Sequence, residues 1–311
     1  MTKLIVQIPC WNEEALLGAT IAAIPRAIQG VDAVEVLVID DGSTDRTAAL
    51  AQASGADHLV RFNSHRGLAR AFAAGLDAAL KLGADIIVNT DADGQYRGQD
   101  IPLLIAPILS GSADLCVGDR GIAAARDYPA LKKGLQRLGS WVVRRLSDTD
   151  VADAASGFRA FSRQAALELS VVSEFTYTLE TLIAAGKKKL TVVSVPVSVN
   201  PPARPSRLFQ SLPEYLRKSL ETMVRVYAMH EPMRVFALIG ALPLGIGVAI
   251  GLWFLYLFFT AGGKGHVQIL IFAAVLLITG FQILLIGLLA DLIAQNRKLL
   301  EDLLRRIKER P

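Results

Sequence analysis

Short apolar runs alternate with amphipathic stretches through the first two hundred residues of this chain. The apolar runs predict strands at residues 4–9, 36–40, 58–61, 86–90 and 115–118. Between them, apolar positions recur at helical spacing and predict helices at about 14–28, 45–53, 67–82 and 99–110. A βαβα order of this kind implies an α/β fold: a Rossmann-like, mostly parallel sheet with helices on both faces. Beyond residue 205 the pattern changes. Leu208, Phe209, Leu212, Tyr215, Leu216, Leu220, Met223, Val224 and Tyr227 recur at helical spacing, with Arg217, Lys218 and Arg225 interleaved and Pro213 expected to break the helix in two. Such helices can lie in a bilayer interface or pack on the preceding domain. Residues 235–259 and 267–290 then contain no charged residue. Each exceeds the roughly 20 residues that a helix needs to cross a bilayer core. The expected organisation is therefore an α/β domain over 1–205, juxtamembrane amphipathic helices over 206–232, a transmembrane pair within 233–291, and a basic C-terminal helix over 292–311.

Composition sharpens the membrane reading. The chain has 311 residues, 52% of them hydrophobic, and a mean hydropathy of +0.40, too apolar for an ordinary soluble domain. Arg217, Lys218, Arg225 and Arg234 precede the first apolar span. Arg297, Lys298, Arg305, Arg306, Lys308 and Arg310 follow the second, while the intervening turn holds Lys264 alone. The positive-inside rule then places the N-terminal domain and the C-terminus in the cytoplasm, with the chain as a two-span protein of the cell (inner) membrane. The first apolar run is too short for a signal peptide and meets Asn12-Glu13-Glu14. The net charge of +4 comes largely from the flanks of the spans. It suits an anionic lipid surface and, without an aromatic-rich basic motif, argues against nucleic acid as a partner. Cys10 and Cys116 lie in or beside strand-like runs, with neither metal spacing nor a disulfide framework, and read as reduced core residues.

The candidate chemistry is concentrated in Asp91-Ala92-Asp93-Gly94-Gln95, at the end of the fourth predicted strand. Bound Mg²⁺ usually takes one or two carboxylates plus substrate phosphates. A strand-end Asp-x-Asp therefore suits a metal that holds a diphosphate. Asp and Gly at a strand end also simply make turns, and Asp148-Thr149-Asp150 repeats the spacing without a strand before it. Position separates the two. Polar clusters follow the first strand at residues 9–14, the second at 40–45 and the fourth at 91–95, and ligands of such sheets bind at the carboxyl ends of strands. No Gly-x-Gly-x-x-Gly follows the first strand and no Gly-Lys-Ser/Thr loop occurs, which excludes the usual dinucleotide and P-loop sites. Gly42-Ser43-Thr44-Asp45 reads as a tight turn into a helix cap.

Taken together, Pro9-x-x-Asn12-Glu13-Glu14, Asp40-Asp41-Gly42-Ser43-Thr44-Asp45 and Asp91-Ala92-Asp93-Gly94-Gln95 resemble family 2 glycosyltransferases of the GT-A fold. Gly118-Asp119-Arg120, Arg137-x-x-Ser140, Asp153-x-x-Ser156-Gly157-Phe158-Arg159 and Arg204-Pro205-Ser206-Arg207 are similar to the polyprenyl-phosphate glycosyltransferases, the group of dolichol-phosphate mannose synthase, GtrB and ArnC. The two-span tail resembles the GtrB-like members. The resemblance implies that Pro9, Asn12 and Glu13 line a nucleotide pocket, that Asp41 contacts the base or ribose, and that Asp91, Asp93 and Gln95 hold Mg²⁺ or Mn²⁺ against the diphosphate. It implies Arg120, Arg137, Ser140 and Arg207, with Arg204 as a further contact, at the acceptor phosphate. Asp153, Ser156, Gly157, Phe158 and Arg159 would border the sugar and acceptor. Asp93, Arg120 and Arg137 would be the catalytic core of the set.

The implied reaction transfers a sugar from a UDP- or GDP-linked donor to a polyprenyl phosphate such as undecaprenyl or dolichyl phosphate. The acceptor phosphate is already a nucleophile with about −1.5 to −2 charge, so no general base is strictly required. Its attack on C1 inverts the anomeric centre. The absence of Gln-x-x-Arg-Trp favours single transfer over processive synthesis. Two other readings stay open: a glycolipid synthase with a hydroxyl acceptor, and a non-catalytic membrane partner that binds a nucleotide sugar. His65, Tyr177 and Glu180 are further polar residues that either line the pocket or sit in solvent. Gly247-Val248-Ala249-Ile250-Gly251 permits close helix packing within the hairpin or in a homo-oligomer.

Overall fold

The computed structural model describes residues 1–121, 130–171, 177–201, 212–261 and 267–309. The side chains of 130–138 and 212–216 also lie outside that description. The chain divides into two compact units, Met1–Val226 with Arg305–Pro311, and Tyr227–Leu304.

The first unit is built on seven strands: β1 Lys3–Cys10, β2 Ala33–Asp40, β3 His58–Arg61, β4 Ile86–Asn89, β5 Leu115–Asp119, β6 Arg159–Ser162 and β7 Val192–Pro196. Their order is β3-β2-β1-β4-β6-β5-β7. β1 runs parallel to β2 and β4, and β2 parallel to β3, while β6 is antiparallel to both β4 and β5. β7 closes the edge parallel to β5. The sheet is thus the mostly parallel, Rossmann-like one expected. The five strands expected from the apolar runs all form. β6 and β7 are additions: Arg159-Ala160-Phe161-Ser162 is short, and Val192–Pro196 is only half-buried, so neither stands out as an apolar run.

Helices cover both faces. On one side α1 Leu17–Ala22, α2 Thr47–Ala53 and α4 Ile101–Leu109 pack a core of Leu4, Val6, Ile8, Val36, Val38, Val88, Leu104 and Phe158. On the other, α3 Leu68–Lys81, α5 Ala130–Ser147, α6 Arg163–Glu168 and α7 Tyr177–Lys187 bury Ile5, Leu37, Ile39, Phe72, Phe161 and Leu182. Consecutive strand residues serve opposite faces, so β1 and β2 are mostly apolar along both, as strands covered on both sides must be. α1 is shorter than its apolar pattern suggested and begins after the Glu13 carbonyl accepts from the Leu16 and Leu17 amides. Both cysteines are buried and unpaired in β1 and β5.

α8, Leu212–His230, is one helix over its described length. The residues immediately before Leu212 lie outside the description, and with them the helical piece expected ahead of Pro213.

The second unit is a helical hairpin of α9 Pro232–Ala261 and α10 Val267–Glu309. Both are long and apolar enough to cross a membrane, and only 11% of the most apolar window of each is buried. That burial does not fit the core pair of a soluble domain. α10 runs unbroken through residues 292–309, where a separate basic helix was expected, since no Pro or Gly lies between Gly287 and the end of the helix. Small residues set the helix contact. A Cβ on Gly280 would lie 2.8 Å from Leu244, and one on Gly247 3.0 Å from Leu277. Gly251 meets nothing, so of the small-residue pair only Gly247 serves the hairpin.

Candidate active site

The ends of β1, β2 and β4 converge on one edge, and their loops are stitched together by side chains. Asn12, at φ 53°, accepts from the Thr44 amide through Oδ1 (2.9 Å) and donates its own amide to Ser43 Oγ (2.9 Å). The Glu13 amide donates to Thr47 Oγ1 (2.9 Å). The Asp-Asp-Gly-Ser-Thr-Asp stretch therefore fixes the loop after β1, and Ser43 and Thr44 do not cap α2 as expected. Gly42 has φ +69°, and a Cβ there would lie 2.4 Å from the Ser64 carbonyl carbon. Only glycine lets the loops after β2 and β3 meet.

Asp41 is buried at that junction. Its carboxylate accepts from the Arg66 amide (2.7 Å) and the Gly67 amide (2.9 Å), and His65 Nδ1 lies 2.8 Å away. Asp41 thus anchors the loop after β3 as well as bordering the expected pocket. His65 is more than a loop residue. It stacks on Trp11 with ring centroids 4.1 Å apart, and both remain partly exposed at the mouth of the strand ends. Asp40 accepts from the Ser43 amide (2.9 Å), and Arg61 Nε lies 3.0 Å from its other oxygen.

Asp91 and Asp93 follow β4. Burial, and then the charge of Asp93, push the Asp91 carboxyl up to about 7, and Glu13 adds to the effect. Asp93 accepts from the Gln95 amide (3.0 Å) and from Gln95 Nε2 (2.8 Å), which ties the three residues into one unit. A Cβ on Gly157 would stand 3.0 and 3.1 Å from the two Asp91 oxygens and 2.9 Å from the Tyr177 hydroxyl. The chain therefore approaches Asp91 as closely as a bare backbone allows. A carboxylate crowded by two others, whose charge Arg120 and Arg159 offset only in part, fits a hard divalent cation. Among the described residues no group of three or more His, Cys, Asp or Glu is placed to hold a metal ion by itself.

Beneath the acidic pair lies a row of buried polar residues. Gln7 on β1 is in register with Asn89 on β4, and Asn89 with Arg159 on β6. Gln7 Nε2 donates to Asn89 Oδ1 (2.9 Å). Asn89 Nδ2 donates to the Gly157 carbonyl (2.8 Å) and to the Tyr177 hydroxyl (2.8 Å). The Gly157 amide donates to the Tyr96 hydroxyl (3.0 Å), and Tyr96 stacks on Phe158 at 5.1 Å. Ser156 Oγ is buried facing Tyr96 without a hydrogen bond of normal geometry. Ser156, Gly157 and Phe158 thus form the rear wall of the acidic site. Asn89 is the one residue sequence reasoning passed over that had a signal: an amide at the end of an otherwise apolar buried run.

The arginines divide by what they bind. Arg159 is fully buried and donates to the carbonyls of Ser156 (2.8 Å), Thr178 (2.7 Å) and Ala154 (2.9 Å) and to Thr181 Oγ1 (2.6 Å). Burial lowers its pKa to about 10. It holds the 154–159 turn onto α7 and spends its donors on the protein itself. Arg120, just past β5, is gripped by the buried Asp153 through Nε (2.6 Å) and Nη2 (3.0 Å). Burial opposes its charge, but Tyr96, Asp153 and Asp91 outweigh that and hold its pKa above the ordinary guanidinium value. Asp153 is therefore an orienting partner for Arg120, and the pair spends two of the five guanidinium N–H groups. Ser140, on α5, is buried and accepts from the Ala154 amide (3.4 Å). The Arg137 side chain, Arg204 and Arg207 lie outside the described residues. Pro9, next to last in β1, lies opposite Ile39. Glu180 is buried on α7 rather than solvated.

Comparison with known proteins agrees with this architecture. Residues 5–169 match the model of glycosyl transferase family 2, and residues 231–295 match the GtrB C-terminal hairpin. The chain is 32% identical over 215 residues to UDP-N-acetylglucosamine–dolichyl-phosphate N-acetylglucosaminyltransferase of Methanococcus voltae, which covers 61% of this chain and 82% of that one. It is 30% identical over 207 residues to polyprenol monophosphomannose synthase of Mycolicibacterium smegmatis, covering 63% and 77%. Among solved structures, glucosyl-3-phosphoglycerate synthase of Mycobacterium tuberculosis, in complex with Mn²⁺, UDP-glucose and phosphoglyceric acid, superposes with a TM-score of 0.58 at 24% identity. That match covers 73% of this chain and 80% of the other and bears on the fold. With its GT-A sheet, its strand-end carboxylates and a family match over more than half its length, the chain belongs to glycosyl transferase family 2.

Proposed function

We propose that this enzyme transfers a sugar from a UDP- or GDP-linked donor to a polyprenyl phosphate in the membrane, with inversion at C1. One observation carries the reading: a crowded acidic pair, Asp91 and Asp93, and a half-buried guanidinium, Arg120, whose charge acts on Asp91. A site that must bring two anions together needs positive charge on both of their sides. Asp91, Asp93 and Gln95 would hold Mg²⁺ or Mn²⁺ on the donor side, and the ion would neutralise the departing diphosphate. Arg120, aimed by Asp153, would face the acceptor phosphate, since a planar guanidinium suits phosphate oxygens. Arg137, Arg204 and Arg207 would add to that positive side, with Ser140 behind it. Pro9, Asn12, Glu13 and Asp41 would border the nucleotide, and the Ser156-Gly157-Phe158 wall the sugar. Arg159 supports that wall. The acceptor is already an anion, so orientation in line with C1 replaces general-base work. The two relatives named for polyprenyl-type acceptors support this acceptor class. The Lys/Arg excess flanking α9 and α10 supports a cytoplasmic catalytic unit at the inner membrane.

The test is to incubate the purified protein in detergent or vesicles with labelled UDP- and GDP-sugars, undecaprenyl or dolichyl phosphate, and Mg²⁺ or Mn²⁺. Label in the lipid phase with a polyprenyl phosphate, and none with the matching polyprenol, is the expected result. Label on the polyprenol or another hydroxyl lipid instead would make the chain a glycolipid synthase. Nucleotide binding with no transfer to either would leave a binding protein.

A further inference from the structure

The metal-motif loop is held from a direction that neither its sequence nor its strand explains. Past β7 the chain continues along the loop that follows Asp93. The Val197 amide donates to the Asp119 carbonyl (2.9 Å) and the Ser198 amide to Asp100 Oδ2 (2.6 Å), and Val199 bridges Tyr96. Asn200 then makes three hydrogen bonds to three residues of the loop. Its amide donates to the Gln95 carbonyl (2.8 Å), its Nδ2 donates to the Gly94 carbonyl (2.9 Å), and its Oδ1 accepts from Arg97 Nε (3.0 Å).

Gln95 is the residue whose amide and side chain both bind the Asp93 carboxylate. Asn200 is exposed, and so is Arg97. Two of the three bonds come from the exposed Asn200 side chain, and ordering it costs rotamer freedom that water-facing bonds repay poorly. Gly94, at φ +69°, leaves the loop backbone with more freedom than any other residue type would. A clamp across its carbonyl removes that freedom from outside.

We propose that Asn200 is a positioning residue: it clamps the Gly94–Arg97 loop and thereby presets the Asp93–Gln95 pair for a divalent cation. It touches neither cation nor substrate: its side chain acts through the Gly94 carbonyl and Arg97, on either side of Gln95. The inference rests on the proposed metal role of Asp91, Asp93 and Gln95. It also gives the strand-end loop a physical link to the stretch of chain that leads on to Arg204 and Arg207.

The experiment measures Mn²⁺ binding by electron paramagnetic resonance on the full-length protein, with UDP and, separately, with GDP. Wild type is compared with Asn200→Ala, Asn200→Asp, Arg97→Ala and Asp93→Asn. Asn200→Ala should weaken Mn²⁺ binding roughly tenfold, the scale seen when groups supporting a metal ligand are removed, with the melting temperature within a few degrees of wild type. Asn200→Asp keeps the acceptor for Arg97 but sets an oxygen against the Gly94 carbonyl, and should be no better than Ala. Arg97→Ala should have a smaller effect that vanishes in the Asn200→Ala background. In transfer assays, the loss in Asn200→Ala should be recovered by excess Mn²⁺, with kcat restored. If Asp93→Asn lowers Mn²⁺ affinity and Asn200→Ala does not, the clamp is overturned and the metal site stands. If Asp93→Asn also leaves Mn²⁺ affinity unchanged, the metal reading itself fails. An Asn200→Ala protein that melts far lower and binds less of everything would mark a purely structural residue and overturn the proposal.

Discussion

Asp91-Ala92-Asp93 and Asp148-Thr149-Asp150 have one spacing and two opposite surroundings. The first pair follows a buried strand, is backed by bare backbone at Gly157, and is crowded by Glu13. The second follows α5 at the surface, where Lys187 Nζ lies 3.3 Å from Asp148 and Arg144 Nη1 3.6 Å from Asp150. In the first, burial and two neighbouring carboxylates outweigh the pull of Arg120 and Arg159, an imbalance that suits the proposed cation. In the second, solvent and flexible cations already compensate both charges. Spacing is therefore no evidence of chemistry until burial and neighbours are known.

The largest effect that separates the two comes from removing the carboxylates. Asp91→Ala and Asp93→Ala should each lower transfer by about 10³-fold or more, as the loss of several kcal/mol of charge stabilisation implies. Asp148→Ala and Asp150→Ala should stay within about twofold of wild type. Initial rates of lipid-soluble product on equal amounts of folded protein measure this. Comparable losses at both pairs would end the comparison.

Two glycines sharpen it. Gly157→Ala pushes a methyl to 3.0 Å from the Asp91 oxygens. Transfer should fall by about 10²-fold from displacement of the reacting groups by a fraction of an ångström. Near the other pair, a Cβ on Gly186 would lie 1.6 Å from the Ser147 carbonyl oxygen. Gly186→Ala should destabilise the fold by about 1–3 kcal/mol, the usual cost of overpacking, while the folded fraction transfers normally. Chemical denaturation beside specific activity distinguishes the two outcomes.

A third contrast is in pH. The Asp91 carboxyl rises from 3.8 to about 7 on folding. A raised acid favours its protonated form in the fold, so the metal-free protein loses this contribution as pH climbs from about 4 to 7. Replacing Asp91 by Asn should make the metal-free protein more stable than wild type, increasingly so up to pH 7 and then by a constant margin. About 1 kcal/mol recovered would appear as roughly 2–4 °C in melting temperature. Asp148→Asn should show no such trend. By the same sign, Mn²⁺ affinity of the wild type should rise with pH to about 7 and then level off. An affinity independent of pH between 5 and 7 would contradict the crowding of Asp91.

The smallest effect belongs to the surface pair itself. Lys187→Ala removes an ion pair to an exposed aspartate, and such pairs contribute about 0–1 kcal/mol. A larger loss in a denaturation midpoint would mean that Asp148 is less solvent-compensated than its exposure indicates.

The five apolar strands, the alternation that makes their sheet parallel, and the two spans were legible because each follows from local hydrophobic periodicity. β6 and β7 were not: Arg159–Ser162 contains a buried arginine, and Val192–Pro196 lies half-exposed at the sheet edge. The continuity of α10 through residue 309 was missed because a change of polarity was taken for a change of element. At the site, the order of the polar clusters marked the strand ends that carry Asn12, Asp41, Asp91 and Asp93, and the family resemblance implied their roles. Their duties needed coordinates. Asp41 ties down the loop after β3, Asp153 aims Arg120, and Arg159 spends its donors on the turn that bears Gly157. These partners lie 25 to 33 residues apart for the first two, and only the fold brings them to hydrogen-bonding distance.

The sequence by itself determined what kind of groups this protein has and at which ends of its strands they lie, because periodicity and strand-end position are properties of neighbouring residues. Which of its charges remain uncompensated was decided only by tertiary structure. Compensation depends on solvent exclusion and on partners from distant segments, and neither is written in any local stretch of chain.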